Sequence, residues 1–501
     1  MSDLPGSLSW LWKGCSLLII LFMVACSTPD NHAIRFGLAN APISLDPRFA
    51  TDATSARINR LLYQRLVDFD EQFRVVPSLA DWQRINNTRY RFTLRDVGRL
   101  FENGEHLTAT DVKATYDYIL DAGNASPHRG SLLNIKDIVV IDDNTVDFML
   151  NNADPLFPSF LVIGIVPASV ATQGQVLNKY SIGSGAFRFV DWPGNDQLII
   201  ERRRDKQRIE FIHVQDTTVR VLKLIRGEVD MLQNDLPKEL VRYLEKRESI
   251  DVDHLMGNNF SYLGFNLQDP LLADKRIRQA IAHALNKKSL ILFLLGGETV
   301  SANTLLTPDH WAGLKTSQSY DYNPEFARQL LKSAGYHQSH PLQLEYKTSS
   351  DPFRIRIATI IQQQLAEVGI KVRLRSFDWA TFYGDIKAGR FQMYSLSWVG
   401  IKNPEIFRYV FHSESIPPKG ANRGRYSSTV VDELITKAEL SVDADQRVKY
   451  YQQLQQQLLQ DLPYVPLWYE EHFMATNKNI SGYQLVKDGN YDGLNQVMKK
   501  L

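Results

Sequence analysis

The sequence predicts a mixed α/β fold with more than one domain. Strand-like segments alternate with helices along the chain, and several helices carry clear signals for their first and last turns. The 501 residues exceed what one hydrophobic core normally supports, about 250–300 residues. With 44% hydrophobic and 23% charged residues, the composition is typical of a packed globular protein and excludes a largely disordered chain.

Helix boundaries can be located at three places. Thr108 and Asp111 have the spacing of a capping box and predict a helix that begins there. The segment Asn323–Gly335 combines an asparagine cap, a first-turn proline and a terminal glycine. The glutamine-rich segment Tyr450–Asp461 places its apolar residues at helical spacing before Pro463. Each of these segments predicts a helix, and the glutamine-rich segment predicts an amphipathic one.

A β-α-β unit is predicted near the middle of the chain. Leu342–Lys347 alternates like a strand, and Asp351-Pro352 supplies an N-cap and a first-turn proline for a helix that ends at Gly369. Ile370–Arg375 then alternates apolar and basic residues like a second strand. Two strands joined by a helix in this way are expected to lie parallel in one sheet.

The charge balance argues against a nucleic-acid partner. The chain contains 57 Lys and Arg residues against 56 Asp and Glu residues, which gives a formal net charge of +1. Binding to nucleic acid or to an anionic membrane surface through charge requires a basic excess. The sequence therefore predicts no nucleic-acid binding.

The N-terminus predicts an exported lipoprotein. The apolar run Cys15–Ala25 is too short to span a bilayer but fits the apolar region of a signal peptide. Met23-Val24-Ala25-Cys26 resembles a bacterial lipobox, in which the chain is cut before the cysteine and the thiol is lipidated. We expect a signal peptide at residues 1–25, lipidation of Cys26 and a tether at 26–33. A plain signal peptide with an incidental cysteine is the alternative.

Cys26 would be the only cysteine of the mature chain, so no internal disulfide could form and packing alone would stabilise the fold. The next residue is Ser27 rather than Asp, which by resemblance to Gram-negative lipoproteins favours the outer membrane. We expect a location in the periplasm or cell envelope, attached to a membrane through the N-terminal lipid.

Motifs for catalysis and cofactor binding are missing. The sequence contains no GxxxxGK[ST], HExxH or CxxC pattern. Gly183-Ser184-Gly185 lacks the spacing of a GxSxG nucleophile elbow and is better explained as a turn. These absences predict a protein that is not an enzyme and that holds no metal or other cofactor.

A series of segments resembles the family 5 extracellular solute-binding proteins, the oligopeptide-, dipeptide- and nickel-binding receptors of ABC importers. The resemblance extends from about Ile34 to Val486, and its specificity rests on the number of segments in family order. They are APISLDP at Ala41–Pro47, LLYQRLV at Leu61–Val67, VPSLADW at Val76–Trp82, YRFTLR at Tyr90–Arg95, FENGEHLTATDV at Phe101–Val112, GSGAFRFVDW at Gly183–Trp192, RGEVD at Arg226–Asp230, YLGFN at Tyr262–Asn266, RIRQAIAHALN at Arg276–Asn286, Tyr322–Tyr336 and FQMYSLSWVGIKNP at Phe391–Pro404.

The resemblance implies a two-lobed periplasmic-binding-protein fold of type II, α/β, with an extra subdomain and a ligand cleft between lobes joined by hinge strands. The hinge strands are expected near Tyr262–Asn266 and Tyr464–Trp468. The implied boundaries are 31–66, 180–262 and 465–501 for a discontinuous lobe I, 67–179 for the extra subdomain, and 263–464 for lobe II.

The same resemblance predicts the residues that line the cleft. Peptide-binding members hold the ligand as an added strand, through main-chain hydrogen bonds. In lobe II, Ser397 and Val399 would offer backbone groups to the ligand, and Trp398 would form an aromatic wall. The alternative for Trp398 is a position in the hydrophobic core. The complete set of predicted ligand-binding residues is Ile43, Ser44 and Leu45 on one wall and Ser397, Trp398, Val399, Gly400, Ile401 and Lys402 on the other.

One position departs from the family pattern. Peptide-binding members carry an Asp after the Trp-containing strand, where it pairs with the α-amino group of the ligand, but Ile401 occupies that position here. The basic residue that dipeptide binders use for the ligand carboxylate would fall near the neutral Thr348. The ligand is therefore expected to be a peptide bound differently, an anionic or modified peptide met by Lys402, or a non-peptide solute such as a metal chelate. For Lys402, a solvated loop lysine is the alternative.

The function implied by the resemblance is a lipid-anchored, monomeric receptor that captures a solute outside the cytoplasm. It would deliver a peptide or peptide-like solute to the permease and ATPase subunits of an ABC importer. Two alternatives differ in class: an envelope sensor or scaffold lipoprotein with the same fold, and a binder of a non-peptide solute.

Overall fold

The computed structural model describes residues 32–194, 196–295, 299–316 and 318–500. The predicted signal peptide and Cys26 lie outside these ranges. Within them, no helix is both long enough and apolar enough to cross a membrane.

The secondary structure alternates strands and helices. The strands, numbered in chain order, are β1 (Ile34–Leu38), β2 (Val67–Phe69), β3 (Val75–Pro77), β4 (Ala80–Asn86), β5 (Arg89–Leu94), β6 (Ile135–Asp142), β7 (Thr145–Leu150), β8 (Phe187–Gly194), β9 (Gln197–Arg202), β10 (Arg208–His213), β11 (Met231–Gln233), β12 (Ile250–Phe265), β13 (Val300–Ser301), β14 (Leu342–Ser349), β15 (Ile370–Phe377), β16 (Met393–Trp398), β17 (Tyr464–Asn477), β18 (Ile480–Ser481) and β19 (Met498–Lys499).

The helices follow the same numbering. They are α1 (Ala53–Leu62), α2 (Ala109–Leu120), α3 (Arg129–Leu132), α4 (Ala168–Thr172), α5 (Thr217–Ile225), α6 (Lys238–Glu245), α7 (Lys275–Ala284), α8 (Lys287–Leu290), α9 (Pro324–Ser333), α10 (Pro352–Glu367), α11 (Trp379–Ala388), α12 (Ile406–Phe411), α13 (Thr429–Leu440) and α14 (Ala444–Asp461). Short 3-10 turns occur at Ala122–Asn124, Phe157–Phe160 and Asp492–Asn495, and a π turn occurs at Ile291–Leu295.

One mixed sheet connects both halves of the described chain. Its strand order is β15-β14-β16-β12-β17-β11-β1-β10-β9-β8, and β13 pairs with β17 off this path. The long strands β12 and β17 lie at its centre as an antiparallel pair, from Ile250 opposite Asn477 to Gly264 opposite Tyr464. We call the part built on β1 and β8–β11 lobe I, and the part built on β14–β16 lobe II.

The pairing of β12 with β17 is interrupted where the lobes meet. The register shifts between Met256 and Phe260 and again between Ser261 and Tyr262. Gly257 lies in this interruption, and a Cβ added to it would be 2.7 Å from the carbonyl oxygen of Glu470. The two backbones therefore approach too closely for any other side chain at this position.

Separate hydrophobic cores stabilise the parts. In lobe I, helix α1 packs on β1, β9 and β10. In lobe II, helices α7, α9 and α10 pack on one face of the sheet, and α12, α13 and α14 bury a second cluster with β12 and β16. The antiparallel sheet β4-β5-β7-β6 and helix α2 enclose a further core from Leu66 to Ile165, which we call the extra subdomain.

The local predictions are confirmed. Strands β14 and β15 pair in parallel across helix α10, whose N-cap Asp351 accepts a hydrogen bond from the Arg354 amide. Asn323 caps α9 by accepting from the Phe326 amide, and the Asp111 carboxylate accepts from the Thr108 amide at 2.7 Å. The glutamine-rich helix α14 begins earlier than predicted, because the Asp443 carboxylate accepts from the amides of its first turn.

Buried Lys287 makes stability depend on pH. Its side chain is 8% exposed, and its ammonium donates to the carbonyl oxygens of Ala302 and Pro466 at 3.4 and 3.3 Å. Burial lowers the pKa of Lys287 to about 8. The unfolded chain therefore binds this proton more tightly, so the Lys287 contribution to stability increases as the pH rises from about 8 to the ordinary pKa near 10.5.

We expect Lys287→Met to increase the free energy of unfolding at pH 7 by up to about 3 kcal/mol, because the variant no longer buries a charge. Urea unfolding of both proteins between pH 7 and pH 10 measures this. The difference in the free energy of unfolding between Lys287→Met and the wild type should decrease as the pH rises. A difference that stays constant with pH would contradict the assignment.

Candidate functional site

The predicted lobe II wall contains an uncovered strand edge. Strand β16 pairs with β12 along its whole length, from Met393 to Trp398. On its other side, β14 pairs only with Met393 and Tyr394. From Ser395 onward, no strand of the described chain covers this edge, and the following Val399 is 65% exposed. The edge therefore offers backbone groups to an incoming extended chain.

Trp398 lies at the border between this edge and the lobe II core. The guanidinium carbon of Arg423 lies 4.5 Å from its ring centroid, and the Tyr262 ring is stacked 6.4 Å away. The Tyr409 ring meets it edge-on at 6.2 Å. The side chain is only partly buried and packs against the core cluster. Core contacts therefore fix the Trp398 ring, and its role as a wall of the ligand site stays a prediction.

A polar cluster lies beside Trp398. The Ser397 hydroxyl is 2.7 Å from both the Ser261 hydroxyl and Oε1 of Glu470. The Ser261 hydroxyl donates to the same carboxylate oxygen at 2.8 Å. The Arg354 guanidinium lies 3.8 Å from Glu470, with exposed side-chain fractions of 34% and 29%. The cluster thus presents one charge of each sign, both still reachable by solvent.

Arg354 and Glu470 were not predicted from the sequence. Arg354 lies in the first turn of α10, just after the C-terminal end of β14, and ligand sites of α/β sheets lie at that end of parallel strands. This position was a usable signal. Glu470 lies within β17, and its proximity to Ser397 depends on a long-range strand pairing that the local sequence does not encode.

The turn after Trp398 directs Ile401 away from the cleft. Gly400 has a φ of +63°, and its amide donates to the Asn259 side chain at 2.8 Å. Ile401 is 7% exposed and belongs to the lobe II core, and its carbonyl oxygen accepts from Asn258 at 2.7 Å. The position expected to carry the amine-pairing carboxylate therefore contributes packing instead of charge.

Lys402 joins the two lobes. Its ammonium forms an ion pair with Asp488 of lobe I at 2.5 Å and lies 5.7 Å from the centroid of the Phe69 ring. Burial opposes ionisation of Asp488, but the nearby Lys402 and Arg60 cations outweigh it, so the pKa of Asp488 is lowered. The two interpretations of Lys402 given above, a ligand contact and a solvated loop lysine, did not include this partner.

On the predicted lobe I wall, only one side chain is exposed. Ile43 is 70% exposed, whereas Ser44 and Leu45 are buried. The Ser55 hydroxyl accepts the amides of Ile43 and Ser44 at 2.8 and 3.0 Å. This hydrogen bonding fixes the backbone of the wall.

The wall continues into a fully buried ion pair. Asp46 and Arg48 both have 0% side-chain exposure, and the guanidinium donates to the carboxylate at 2.9 and 2.7 Å. The Leu177 amide also donates to Asp46, at 2.9 Å. Removing one partner from such a pair leaves a buried charge uncompensated.

A cavity of about 460 Å³ lies between the lobes. Gly400 and Lys402 line it from lobe II, Asn59 and Arg60 from lobe I, and His128 from the extra subdomain. Of the predicted ligand-binding residues, the structure thus brings Gly400 and Lys402 to this cavity, while Ser397, Trp398 and Val399 follow the neighbouring strand edge and Ile43 lies on the opposite lobe.

Comparisons with known proteins agree with the predicted family. Residues 74–416 match the profile described as bacterial extracellular solute-binding proteins, family 5 Middle. The dipeptide-binding protein of Escherichia coli K12 is 26% identical over 93% of this chain and 94% of its own. Di/tripeptide-binding protein 2 of Pseudomonas aeruginosa UCBPP-PA14 is 29% identical over 94% of this chain and 96% of its own.

Solved structures share the fold. HbpA2 from Haemophilus parasuis superposes with a TM-score of 0.82 at 24% identity, covering 94% of this chain and 100% of that one. NikZ from Campylobacter jejuni, solved in complex with Ni(L-His), gives 0.77 at 23% identity, covering 93% of this chain and 99% of that one. The predicted α/β periplasmic-binding-protein fold is confirmed, and the exact domain boundaries stay a prediction.

We expect Asp46→Asn to lower the free energy of unfolding by about 3–5 kcal/mol, because Arg48 then remains buried without an anion. Chemical denaturation of the variant measures this loss. The double variant Asp46→Asn with Arg48→Met should recover part of it. An Asp46→Asn variant as stable as the wild type would refute the role of the pair.

Proposed function

Because the chain belongs to the family 5 bacterial extracellular solute-binding proteins, we propose that it captures peptides or peptide-like solutes in the interlobe cleft and delivers them to an ABC importer. Its partners would be the permease and ATPase subunits of that importer. The protein itself would bind its solute reversibly, as a monomer, without a cofactor and without a chemical step.

The uncovered edge of β16 is the observation that carries the peptide assignment. A peptide laid along Ser395–Val399 in extended form could pair its backbone with this edge and extend the sheet by one strand. Backbone pairing gives affinity without selecting side chains, and the adjoining cavity gives the side chains room. The relatives named for dipeptides and tripeptides support this ligand class.

The charged cluster offers partners for charged groups of such a peptide. Glu470 would pair with the α-amino group in place of the carboxylate that Ile401 does not provide, and Arg354 would pair with a side-chain carboxylate of the ligand. The Arg354 and Glu470 side chains lie 3.8 Å apart, and each is about one-third exposed. Because an exposed ion pair at this distance is weak, a charged group of the ligand could replace it. The absence of Asp at position 401 is thus compatible with peptide binding.

Binding would be coupled to closure of the lobes. Lys402 and Asp488 join lobe II to lobe I, and the neighbouring Lys487 ammonium pairs with Asp309 of lobe II. A ligand that contacts both lobes favours the closed arrangement by its extra contacts in that state. The interrupted pairing of β12 with β17 would absorb the hinge motion.

We also propose that the mature chain begins at a lipidated Cys26 and is attached to the cell envelope through that lipid. Ser27 favours the outer membrane if the cell is Gram-negative. A tether at residues 26–33 would place β1, the first strand of the described residues, close to the membrane surface.

Native mass spectrometry of residues 27–501 tests the ligand class. We expect the purified protein to carry a series of bound peptides. Glu470→Gln should reduce their occupancy about tenfold or more, because a hydrogen bond to a charged group contributes roughly 1.5–3 kcal/mol. Arg354→Gln should lower the share of bound peptides that carry an acidic side chain.

Two matched variants serve as controls for the charge changes. Glu433→Gln and Arg373→Gln remove the same charges at exposed positions of lobe II, away from the cleft. Both should keep the wild-type peptide series. A single bound non-peptide mass would identify a different solute, and a protein that binds no peptide from a defined mixture would contradict the proposal.

We expect Cys26→Ala to release the protein from the membrane fraction, because it removes the thiol that would carry the lipid. The measurement is fractionation of cells combined with the mass of the N-terminal peptide, which in the wild type should begin at a diacylated Cys26. Cys15→Ala, within the apolar run, is the matched control and should leave attachment intact. A wild-type N-terminus without lipid would refute the anchor.

A further inference from the structure

A second cavity adjoins the first. It measures about 350 Å³ and lies between the extra subdomain and lobe II. Phe69, Phe73 and Trp82 line it from the extra subdomain, and Trp311 and Val448 line it from lobe II. We call this space the aromatic chamber.

The aromatic chamber shares lining residues with the interlobe cavity. Phe69, Ser159, Lys402 and Asn403 line both spaces. The Lys402 ammonium is held by Asp488 of lobe I, and the Asn403 amide donates to the Ser159 hydroxyl of the extra subdomain, so these side chains lie between the two cavities. A ligand group that reaches past Lys402 from the cleft would enter the chamber.

The chamber has a basic rim. Arg74 and Arg447 both line it, and neither forms an ion pair with a carboxylate of the described chain at 4.0 Å or less. Arg447 donates instead to the carbonyl oxygen of Ser441, at 3.0 and 2.6 Å, and the Asp154 carboxylate, which forms no ion pair with it, offsets part of its positive charge. Asp445 lies on the same rim, and both Asp445 and Arg74 are exposed to solvent. The balance favours an anionic group close to the aromatic walls.

One wall is held in a strained conformation. Phe73 has a φ of +60°, a region that costs a bulky residue roughly 1–2 kcal/mol. The turn is fixed by Asp70, whose carboxylate accepts the amides of Gln72 and Arg74 at 2.9 and 2.8 Å. This backbone places the Phe73 ring in a stack on His310 of lobe II, with centroids 5.6 Å apart. Strain of this kind is retained where the surrounding structure requires the side chain's position.

We propose that the aromatic chamber binds the aromatic or large apolar C-terminal side chain of the cleft ligand, with Arg74 and Arg447 pairing with the adjacent carboxylate. The inference rests on the proposed peptide-binding function and adds a side-chain preference to it. Because the walls come from the extra subdomain and from lobe II, an occupied chamber also contacts both and stabilises their closed arrangement.

The test uses two kinds of probe. Calorimetry compares Ala-Ala-Phe, Ala-Ala-Ala and the amide of Ala-Ala-Phe on residues 27–501. Quenching of tryptophan fluorescence, with Trp82 and Trp311 in the walls, follows 3-phenylpropanoate, which has the ring and the carboxylate without a peptide. We expect Ala-Ala-Phe to bind roughly tenfold or more tightly than the other two peptides, because they lack the ring or the charge.

Filling the chamber should abolish this preference. Ala444 is an exposed lining residue at the start of α14, so Ala444→Trp adds a ring to the chamber without removing core packing. Val448→Trp, one turn further on, is the second variant if the first unfolds. Lys449→Trp is the matched control, since it is exposed on the same helix and does not line the chamber. Arg74→Gln should reduce the preference for the free acid over the amide.

The outcomes separate the two proposals. Peptides that bind equally well with and without the ring, in wild type and Ala444→Trp alike, overturn the chamber and leave peptide capture intact. Binding of 3-phenylpropanoate that Ala444→Trp abolishes, with no peptide bound, supports the chamber and overturns peptide capture. The chamber is also overturned if Ala444→Trp changes neither the binding of Ala-Ala-Phe measured by calorimetry nor the binding of 3-phenylpropanoate measured by fluorescence.

Discussion

The pairing of β12 with β17 is the constraint on which the rest of the structure depends. These strands run through both lobes, so they set where every other strand of the large sheet lies. They carry Ser261 and Glu470 to the cleft and hold β16 with one edge uncovered. Their interrupted register at Gly257 is also where the pairing between the lobes is weakest. One antiparallel pair thus provides the connection between the lobes, and it carries part of the proposed binding chemistry and the proposed hinge.

The cleft satisfies most of its own charges. Lys402 pairs with Asp488 across the lobes, and Arg60 binds both Asp68 and Asp492 at 2.8 Å. Separating one ion of such a pair from its partner costs free energy, so a charged ligand is expected to bind at the looser pair of Arg354 and Glu470. Which charges are available to a ligand therefore depends on which ion pairs are tight and which are loose. The residue types alone do not show this difference.

The local structure could be predicted because its causes are local. The caps Asp351 and Asn323 accept hydrogen bonds from amides in the first turns of their own helices, and each is followed by a proline. Both helices begin where these signals predicted. The family pattern likewise depends on segments in order. The start of α14 was misplaced because its cap, Asp443, stands before the periodic apolar residues that drew attention to Tyr450–Asp461.

By itself, the sequence determined the α/β fold class and the family, because caps, periodicity and the order of segments can be recognised locally. It also predicted the stretch from Ser397 to Lys402 as one side of a cleft. Only the tertiary structure decided which side chains contact each other. In the structure, Ile401 packs into the lobe II core and Lys402 forms an ion pair with Asp488. Glu470 and Arg354 lie together beside Ser397. These contacts join residues tens to hundreds of positions apart, and their distances follow from strand register and lobe packing, which no local pattern specifies.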